Sequence, residues 1–331
     1  MGAAIGGAIG ALLLGGLCIT LSLPRTSTPI LPTLAPPAAL EYFDRGVAAS
    51  EKGELDQAID DFTKAIELDP KLAYAYNNRG NAYRKKGNYD QAIADYTKAI
   101  EIDPTETQIY INRANAYYED KGAFDLALAD FDKAIELNPN LASAYYGRGL
   151  VNANKGDFDQ AIADFTKSIE FDPNYAPAYY YRGRASSEGG YLDQAIADYS
   201  KAIELKPENA SSYFDRAIDY YQKGELDQAY ADYTQAIELD LEPPDRLAGA
   251  YMNRGIIHAD RGNLDQAIAD YTKAIELDPK NANRYYHRGL AYRQKGLKEQ
   301  AIADFEMYLQ LAPNASDQAQ VKQWITELKG K

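Results

Sequence analysis

A glycine recurs at an almost constant interval along this chain, and no other feature of the sequence constrains the fold as strongly. Each of these glycines opens a phrase related to G-x-L-D-Q-A-I, and the successive spacings are 34, 35, 34, 34, 34, 38 and 34 residues. The glycines are Gly53, Gly87, Gly122, Gly156, Gly190, Gly224, Gly262 and Gly296. A fixed period of this length indicates a stack of similar structural units. The two longer intervals place a one-residue insertion between Tyr117 and Gly122 and a four-residue insertion near Leu241 to Pro244. The prolines of the second insertion predict a longer, stiff loop between the sixth and seventh repeats.

One period, residues 73 to 106, contains two runs of apolar and small residues at helical spacing. The first run includes Tyr76 and Tyr83, and the second includes Tyr96 and Ile100. Gly87 between them supplies a turn, and Pro104 ends the second run, because proline cannot continue the hydrogen bonds of a helix. The period therefore predicts a pair of short helices, and such a hairpin must stack on its neighbours to bury its apolar faces.

The repeated positions resemble the tetratricopeptide repeat family over residues 39 to 315. In each unit the fourth residue is tyrosine, the eighth is glycine or alanine, the twentieth is alanine and the twenty-fourth is aromatic. The tyrosines are Tyr42, Tyr76, Tyr110, Tyr145, Tyr179, Tyr213, Tyr251 and Tyr285, and the alanines are Ala58, Ala92, Ala127, Ala161, Ala195, Ala229, Ala267 and Ala301. The resemblance implies an all-α fold, a right-handed superhelix (solenoid) of eight helical hairpins. It also implies that the protein binds other proteins.

The last residues of the chain continue the helical pattern beyond the eighth repeat. Val321, Trp324, Ile325 and Leu328 form one apolar stripe. The end of a repeat stack needs a cover with a polar outer side. We therefore predict a capping helix within residues 316 to 331.

Every unit also carries an arginine at its seventh position and an aspartate at its twenty-third. Arg148 and Asp164 are the pair of the fourth unit. Because these positions lie on the two helices of one hairpin, the pattern predicts a ladder of charge-assisted hydrogen bonds. An arginine row that reads acidic ligands is the alternative.

The inventory of reactive side chains argues against an enzyme. His258 and His287 are the two histidines, Cys18 is the one cysteine, and no catalytic triad spacing, phosphate-binding loop or paired metal-binding histidines appear. Acidic residues are abundant but recur with the repeat, whereas a catalytic or metal site needs one unique cluster. We predict no catalytic residue, no metal site and no cofactor.

The charge balance indicates which partners suit the surface. The chain has 49 acidic and 35 basic residues and a formal net charge of −14, so its surface repels nucleic-acid phosphates. We expect no nucleic acid and instead a protein or peptide partner.

The resemblance implies that the first helix of each repeat lines a concave groove, and positions 2, 5, 9, 12 and 13 share one face of that helix. These positions are polar and locally basic in the second and third units, apart from Ile111, and aromatic or aliphatic from the fourth onward, where Arg184 and Arg293 interrupt the apolar lining. The candidate groove residues are Asn77, Asn81, Arg84, Lys85, Ile111, Asn115, Tyr146, Leu150, Tyr180, Arg184, Phe214, Ile218, Tyr221, Met252, Ile256, Tyr286, Leu290 and Arg293. An exposed apolar row suits an extended peptide or a partner helix. The alternative is that about half of these residues pack between repeats.

The N-terminus differs from the rest of the chain. Residues 1 to 23 contain no charged side chain, and residues 3 to 23 could span a membrane once as a helix. The proline-rich residues 24 to 38 predict an extended spacer. Gly2, Gly6 and Gly10 have the small-xxx-small spacing that lets membrane helices associate. We therefore predict a single-pass N-terminal membrane anchor. Arg25, the one charge that flanks it, does not fix its orientation, but an apolar segment at the N-terminus usually enters the secretory route, which favours the extracytoplasmic side for the repeats.

Two functions fit this organisation. The first is a membrane-tethered scaffold that binds a peptide or partner helix in its groove. The second is a structural arm of a membrane assembly, oligomerised through the glycine-spaced N-terminal helix. Removal of residues 1 to 23 should leave partner binding intact in the first case and abolish the assembly in the second.

Overall fold

A computed structural model describes residues 35 to 120 and 122 to 330. These residues form seventeen α-helices and no β-strand. The first helices of the hairpins are α1 (Pro37–Glu51), α3 (Ala73–Lys85), α5 (Thr107–Glu119), α7 (Ala142–Lys155), α9 (Ala176–Glu188), α11 (Ala210–Gln222), α13 (Pro244–Asp260) and α15 (Ala282–Gln294). The second helices are α2 (Leu55–Leu68), α4 (Tyr89–Ile102), α6 (Phe124–Leu137), α8 (Phe158–Phe171), α10 (Leu192–Leu205), α12 (Leu226–Glu238), α14 (Leu264–Leu277) and α16 (Lys298–Leu311), and α17 (Gln318–Leu328) follows them.

The predicted hairpins are present, and the periodic glycine forms the turn within each. Gly87 between α3 and α4 has φ of +76°, a left-handed conformation that side chains disfavour. A Cβ added there would meet no atom within 4 Å, so the backbone conformation, and not crowding, is what requires glycine. The turn lets the second helix reverse direction and pack along the first.

The two helices of a hairpin approach closely where the sequence places its small residue. A Cβ added at Gly80 on α3 would lie 2.8 Å from the ring of Tyr96 on α4, and that ring is fully buried. No real Cβ tolerates such a contact, so the absent side chain is what admits the ring. The small residue of the family pattern is therefore a condition of hairpin packing.

The described helices fall into two compact units. The first unit ends at Phe171 and contains α1 to α8, and the second begins at Asp172 and contains α9 to α17. In each unit, a second helix packs against the first helix of the next hairpin. First helices of neighbouring hairpins also contact one another, α3 with α5 and α13 with α15 among them, whereas no second helices of the described chain pack together as closely. Within each unit the first helices therefore line the tighter, inner side.

The capping helix predicted for the C-terminus is observed as α17, which packs on α16. Its Val321 and Ile325 are buried, and the ring of Trp324 lies 5.6 Å from that of Phe305 on α16. This apolar stripe covers the last hairpin of the second unit.

The four-residue insertion has a different form from the long loop that its prolines suggest. The connection between α12 and α13 is only residues 239 to 243, with a cis peptide bond between Glu242 and Pro243 and a buried Leu241. Most of the insertion instead lengthens α13, which has 17 residues where α11 and α15 have 13 each. Pro244 is accommodated because the first turn of a helix needs no donor from its N–H groups. The insertion adds one turn, Pro244 to Leu247, to the start of α13.

The N-terminal boundary differs slightly from its expected position. α1 begins at Pro37, two residues before the first repeat was expected to begin at residue 39. The predicted apolar anchor (residues 1 to 23), its Gly2, Gly6 and Gly10, and the spacer up to residue 34 lie outside the described residues. In the part of the chain that is described, no helix combines the length and apolar character required to cross a membrane.

The predicted arginine–aspartate ladder is confirmed. In the second hairpin, Arg79 donates through Nε and Nη2 to both carboxylate oxygens of Asp95 at 2.8 and 2.7 Å, and its Nη1 donates to the hydroxyl of Thr63 in the preceding hairpin at 3.0 Å. The other pairs are Arg45–Asp61, Arg113–Asp130, Arg148–Asp164, Arg182–Asp198, Arg216–Asp232, Arg254–Asp270 and Arg288–Asp304. Because these aspartates are buried, the arginines neutralise charges that water cannot reach.

We predict that Arg148→Met destabilises the first unit. Arg148 binds Asp164, which is 1% exposed, and Asp132 of the preceding hairpin, so its removal leaves a buried carboxylate without its cation. The free energy of unfolding should fall by about 3 kcal/mol, the low end of the range for broken buried ion pairs, because Arg148 itself is partly exposed. Denaturant unfolding of the full chain measures the change.

Lys167→Met is the matched control, because Lys167 forms an exposed ion pair with Glu170 on the same helix as Asp164. Exposed pairs of this kind contribute little to stability, because water and salt screen both charges. Equal unfolding midpoints for the Arg148 and Lys167 variants would contradict a structural role for the ladder.

Candidate functional site

All eighteen candidate groove residues lie on first helices, on the inner side of their own unit. The first-helix face of the first unit is formed by α1, α3, α5 and α7, and that of the second unit by α9, α11, α13 and α15. No observation tests binding at either face, so the assignment of these residues to a partner site stays a prediction. Their burial and contacts show which of them a partner could reach.

Six of the candidates are buried and serve packing. Tyr146 is 1% exposed, with its ring 5.9 Å from that of Phe165 in the same hairpin. The six are Asn77, Ile111, Tyr146, Leu150, Tyr180 and Phe214. Position 5 of the repeat thus points into the structure in most hairpins. For these six residues, the burial favours the alternative interpretation, in which a candidate packs between helices and does not contact a partner.

In the first unit, amide side chains are joined across neighbouring first helices. Asn112 on α5 donates to the side-chain oxygen of Asn77 on α3 at 2.9 Å, and Gln108 donates to that of Asn112 at 3.0 Å. The Tyr96 hydroxyl donates to the side-chain oxygen of Asn81 at 2.7 Å. These hydrogen bonds explain why Asn77 can be buried. Asn115 is half-buried and has no such partner among the described residues.

The basic end of this face is partly neutralised. Arg84 donates to Glu119 on α5 at 2.7 Å, and burial raises the pKa of Glu119. Lys85 is exposed and carries no ion pair in the described chain. Glu119 did not stand out in the sequence, because only stacking brings the end of α5 beside the end of α3. Of Arg84 and Lys85, Lys85 is therefore the one without an ion pair among the described residues.

In the second unit, Asp215 on α11 joins three helices. The Tyr180 hydroxyl on α9 donates to its Oδ2 at 2.7 Å, and the guanidinium of Arg246 on α13 pairs with its Oδ1. Arg246 also donates to the Ser211 hydroxyl at 2.8 Å and lies 4.8 Å above the ring of Phe214. Arg246 is part of the extra turn of α13, so the insertion supplies this cluster. The sequence pattern could not show it, since no other repeat has this turn.

Arg184 on α9 lies beside this cluster without joining it. Its guanidinium carbon is 6.0 Å from the ring centre of Tyr180 and 5.8 Å from that of Tyr181. Burial acts to lower its pKa, but nearby Tyr180 and Asp215 raise it above its ordinary value, so the group stays charged. No hydrogen bond or ion pair of Arg184 is found among the described residues.

Asp219, one helical turn beyond Asp215, is a second unusual carboxylate that the sequence did not single out. It is fully buried, its Oδ1 accepts a hydrogen bond from Ser187 at 2.7 Å, and its Oδ2 has no partner in the described structure. Burial, with smaller contributions from Asp215 and Glu188, raises the pKa of Asp219 to about 7. The carboxyl therefore titrates near neutral pH.

The capping helix α17 packs against the last three candidates, Tyr286, Leu290 and Arg293. The ring of Tyr286 lies 6.2 Å from that of Trp324, Leu290 packs in the same cluster, and the guanidinium of Arg293 lies 4.7 Å above Trp324. Arg293 also approaches Glu327 at 3.5 Å. The half-buried residues of the second unit's face that do not pack with α17 are Arg184, Ile218, Tyr221, Met252 and Ile256.

No group of three or more His, Cys, Asp or Glu side chains in the described residues could hold a metal ion. The two histidines are packing residues. His258 lies edge-on to Tyr230 at 5.2 Å, and His287 packs against Tyr271 and Tyr286. Burial lowers the pKa of both histidines, which keeps them neutral at pH 7.

The hairpin geometry and the repeat pattern agree with known families. Models described as Tetratricopeptide repeat match residues 73–106, 142–175, 210–243 and 282–315, and a model described as TPR repeat matches residues 48–86, 120–156, 183–218 and 255–296. The chain belongs to the tetratricopeptide repeat family. The positions that the tetratricopeptide repeat pattern keeps small or aromatic are those that pack each hairpin.

Solved tetratricopeptide repeat structures resemble this protein. The C-terminal part of a TPR repeat-containing protein from Cytophaga hutchinsonii is 22% identical, covering 74% of this chain and 98% of that one, with a TM-score of 0.60. A tetratricopeptide repeat protein from Parabacteroides merdae is 24% identical, covering 77% and 98%, with a TM-score of 0.55. YrrB, described as a TPR protein with an unusual peptide-binding site, is 29% identical over 56% and 92%, with a TM-score of 0.48. A search of curated proteins found no match.

We predict that Asp219→Asn stabilises this tetratricopeptide repeat protein at alkaline pH. A carboxyl whose pKa is raised in the folded state binds its proton more tightly there than in the unfolded chain, so ionisation destabilises the fold as pH rises from about 4 to about 7. Asparagine resembles the protonated acid and removes this loss. The variant should gain roughly 2 kcal/mol relative to the wild type between pH 5 and pH 8, since one pKa unit corresponds to about 1.4 kcal/mol.

Thermal or denaturant unfolding at both pH values measures the difference. Asp193→Asn is the control, because Asp193 is an exposed carboxylate in the same unit. A pH profile that is the same for Asp219→Asn and the wild type would show that Asp219 does not titrate in this range.

Proposed function

We propose that this protein is a non-enzymatic scaffold that binds an extended peptide or partner helix on the first-helix face of its second unit. One observation carries the proposal. Ile218 and Tyr221 on α11 and Met252 and Ile256 on α13 are apolar side chains that packing leaves partly exposed on one side of the unit. A cation, Arg184, lies on the neighbouring first helix. An apolar strip with a charged group beside it is the composition of a peptide-binding surface.

The face is preformed, which favours binding. Tyr180, Asp215 and Arg246 fix α9, α11 and α13 to one another through charge-assisted hydrogen bonds. A partner therefore does not have to order the helices that it contacts, and the entropy cost of binding falls mainly on the partner. The family itself consists typically of non-enzymatic interaction proteins, and the charge of −14 favours a protein over a nucleic-acid partner.

We predict that the double variant Tyr221→Ala and Met252→Ala weakens peptide binding about tenfold or more, because central aromatic and aliphatic contacts each contribute about 1 to 2 kcal/mol. Both side chains are half-buried at the surface, so the fold should persist. The peptides are selected by display of random twelve-residue sequences against the full chain in detergent, and their dissociation constants are measured by calorimetry.

The matched control removes similar side chains from second helices of the same unit. Leu277 on α14 and Met307 on α16 are each 37% exposed, and their replacement by alanine should leave binding unchanged. Equal losses in the two double variants, or a loss confined to the control, would place the partner elsewhere.

The membrane anchor and the extracytoplasmic position of the repeats remain part of the proposal. Their support is the uncharged stretch of residues 1 to 23 and the proline-rich spacer that follows it.

We predict that the full chain sediments with membranes and that a chain lacking residues 1 to 23 does not. Protease added to sealed cells or vesicles should digest the repeats if they lie outside. Recovery of the intact chain in the soluble fraction would contradict the anchor.

The second candidate function is a structural arm of a membrane assembly. The small-xxx-small spacing of Gly2, Gly6 and Gly10 favours it, because such glycines let membrane helices associate closely. Gly6→Leu should then reduce the oligomeric state of the detergent-solubilised chain, measured by light scattering, without changing peptide binding. A scaffold would show the opposite dependence, with binding lost in the Tyr221 and Met252 variant and assembly unaffected.

A further inference from the structure

Arg184 is the arginine that the described structure leaves without a carboxylate. Every other arginine in residues 35 to 120 and 122 to 330 forms an ion pair with Asp or Glu. That includes the arginines on the inner sides of the units, since Arg84 pairs with Glu119, and Arg246 with Asp215. In a chain of net charge −14, a half-buried arginine without a partner is an exception.

The guanidinium of Arg184 is nevertheless held in place. It lies against the rings of Tyr180 and Tyr181, and Tyr180 is itself fixed by its hydrogen bond to Asp215. Cation–π contact of this kind orients the planar group and lowers the entropy that it loses when a ligand binds. Its N–H donors have no acceptor in the described protein, so they are available to a ligand.

The nearest carboxylate cannot serve Arg184, because it is already committed. The Oδ1 of Asp215 is taken by Arg246 and its Oδ2 by the hydroxyl of Tyr180. Asp219 bonds to Ser187, and its raised pKa leaves it only partly ionised at neutral pH. The cluster therefore holds two guanidinium groups, Arg184 and Arg246, while both oxygens of the Asp215 carboxylate are already taken.

We propose that Arg184 receives the side-chain carboxylate of an Asp or Glu located inside the partner's peptide segment. This inference rests on the proposed function, since it requires a peptide on the same face. A carboxylate matches the planar fork of a guanidinium with two parallel hydrogen bonds. A phosphate with two negative charges fits less well, because the nearby carboxyl group of Asp215 disfavours a second negative charge more than a single one.

The position of Arg184 beside the apolar side chains lets an acidic residue inside a bound segment reach its guanidinium. The apolar side chains of the face lie on α11 and α13, whereas Arg184 is on α9. A segment that covers Ile218 and Met252 can continue past α9 while one of its side chains reaches the guanidinium. One arginine offers one two-pronged site, which a single side-chain carboxylate fills.

The test is a double-mutant cycle on peptides selected against the full chain in detergent. Random twelve-residue sequences are displayed inside a carrier loop, so that no free terminus is available, and binders are resynthesised with acetylated and amidated ends. The acidic position that the binders share is changed to the corresponding amide. On the wild type this change should weaken binding about tenfold or more, as charge-assisted hydrogen bonds at interfaces do. On Arg184→Gln it should weaken binding less than about twofold, because the partner charge is gone.

Two further variants make the cycle specific. Lys206→Gln removes one exposed cation of the same unit and should behave as the wild type. Arg184→Lys keeps the charge but not the fork, and it should retain part of the preference for an acidic residue. Thermal unfolding of each variant checks that the fold is unchanged, and Arg184→Lys remains informative if Arg184→Gln unfolds.

The outcomes separate this inference from the function on which it rests. Two outcomes would overturn the role of Arg184 alone. In the first, peptides lose affinity for the Tyr221 and Met252 variant but share no acidic position. In the second, the change from acid to amide weakens binding by the same factor on Arg184→Gln as on the wild type. Binders found solely in a parallel library with free C-termini would overturn the internal source of the carboxylate. A failure to select any peptide, or binding that ignores Tyr221 and Met252, would overturn both proposals.

Discussion

The contact between an aromatic ring and a small residue, glycine in six hairpins and alanine in two, is the constraint on which each hairpin depends. Tyr96 lies against Gly80, and the same contact recurs at the C-terminal end, where Phe305 lies against Gly289. Both rings are fully buried. Burial of such a ring contributes about 2 to 3 kcal/mol, and a methyl group on Gly80 or Gly289 would force the facing ring to shift. The contact also fixes how far one helix slides along the other, and that register brings each arginine to its aspartate.

The arginine ladder then joins hairpins that have formed their own packing. Arg79 binds Asp95 within its hairpin and Thr63 in the preceding one, so a single side chain depends on both. In the fourth hairpin, Arg148 donates to a second carboxylate, that of Asp132, where Arg79 donates to a hydroxyl. Buried ion pairs add little net stability over apolar packing, but a wrong alignment would leave charges unpaired. Within each unit the ladder therefore acts mainly on the specificity of stacking.

Repetition made most of the fold predictable. The sequence predicted the paired helices, the turn glycines and the arginine–aspartate pairs, because each of these features recurs in all eight repeats at the same position. The site was predicted less well. Helical spacing placed Tyr146 and Tyr180 on the inner face of their helices, but it could not show that the neighbouring helix covers them. In the same way it could not show that α17 would pack over Tyr286.

The unique features of the site escaped prediction because periodicity carries no information about exceptions. Arg246 and Asp215 come together through an insertion present in one repeat, and Arg184 is distinguished by the partner that it lacks. The prolines near this insertion suggested a loop, since proline ends helices. Proline is equally suited to the first turn of one, and α13 uses it there.

The length of that insertion has a geometric consequence for the whole of the second unit. Four residues advance an α-helix by about 400°, close to one full rotation. The added turn therefore leaves Tyr251, Gly255 and the rest of α13 facing as their counterparts do in the other repeats. An insertion of two residues continued as helix would turn the helix by about 200° and present its polar side to α12. A residue inserted inside a packed helix keeps the helix faces aligned only when the insertion preserves rotational phase, and a new side chain such as Arg246 enters the site with such a step.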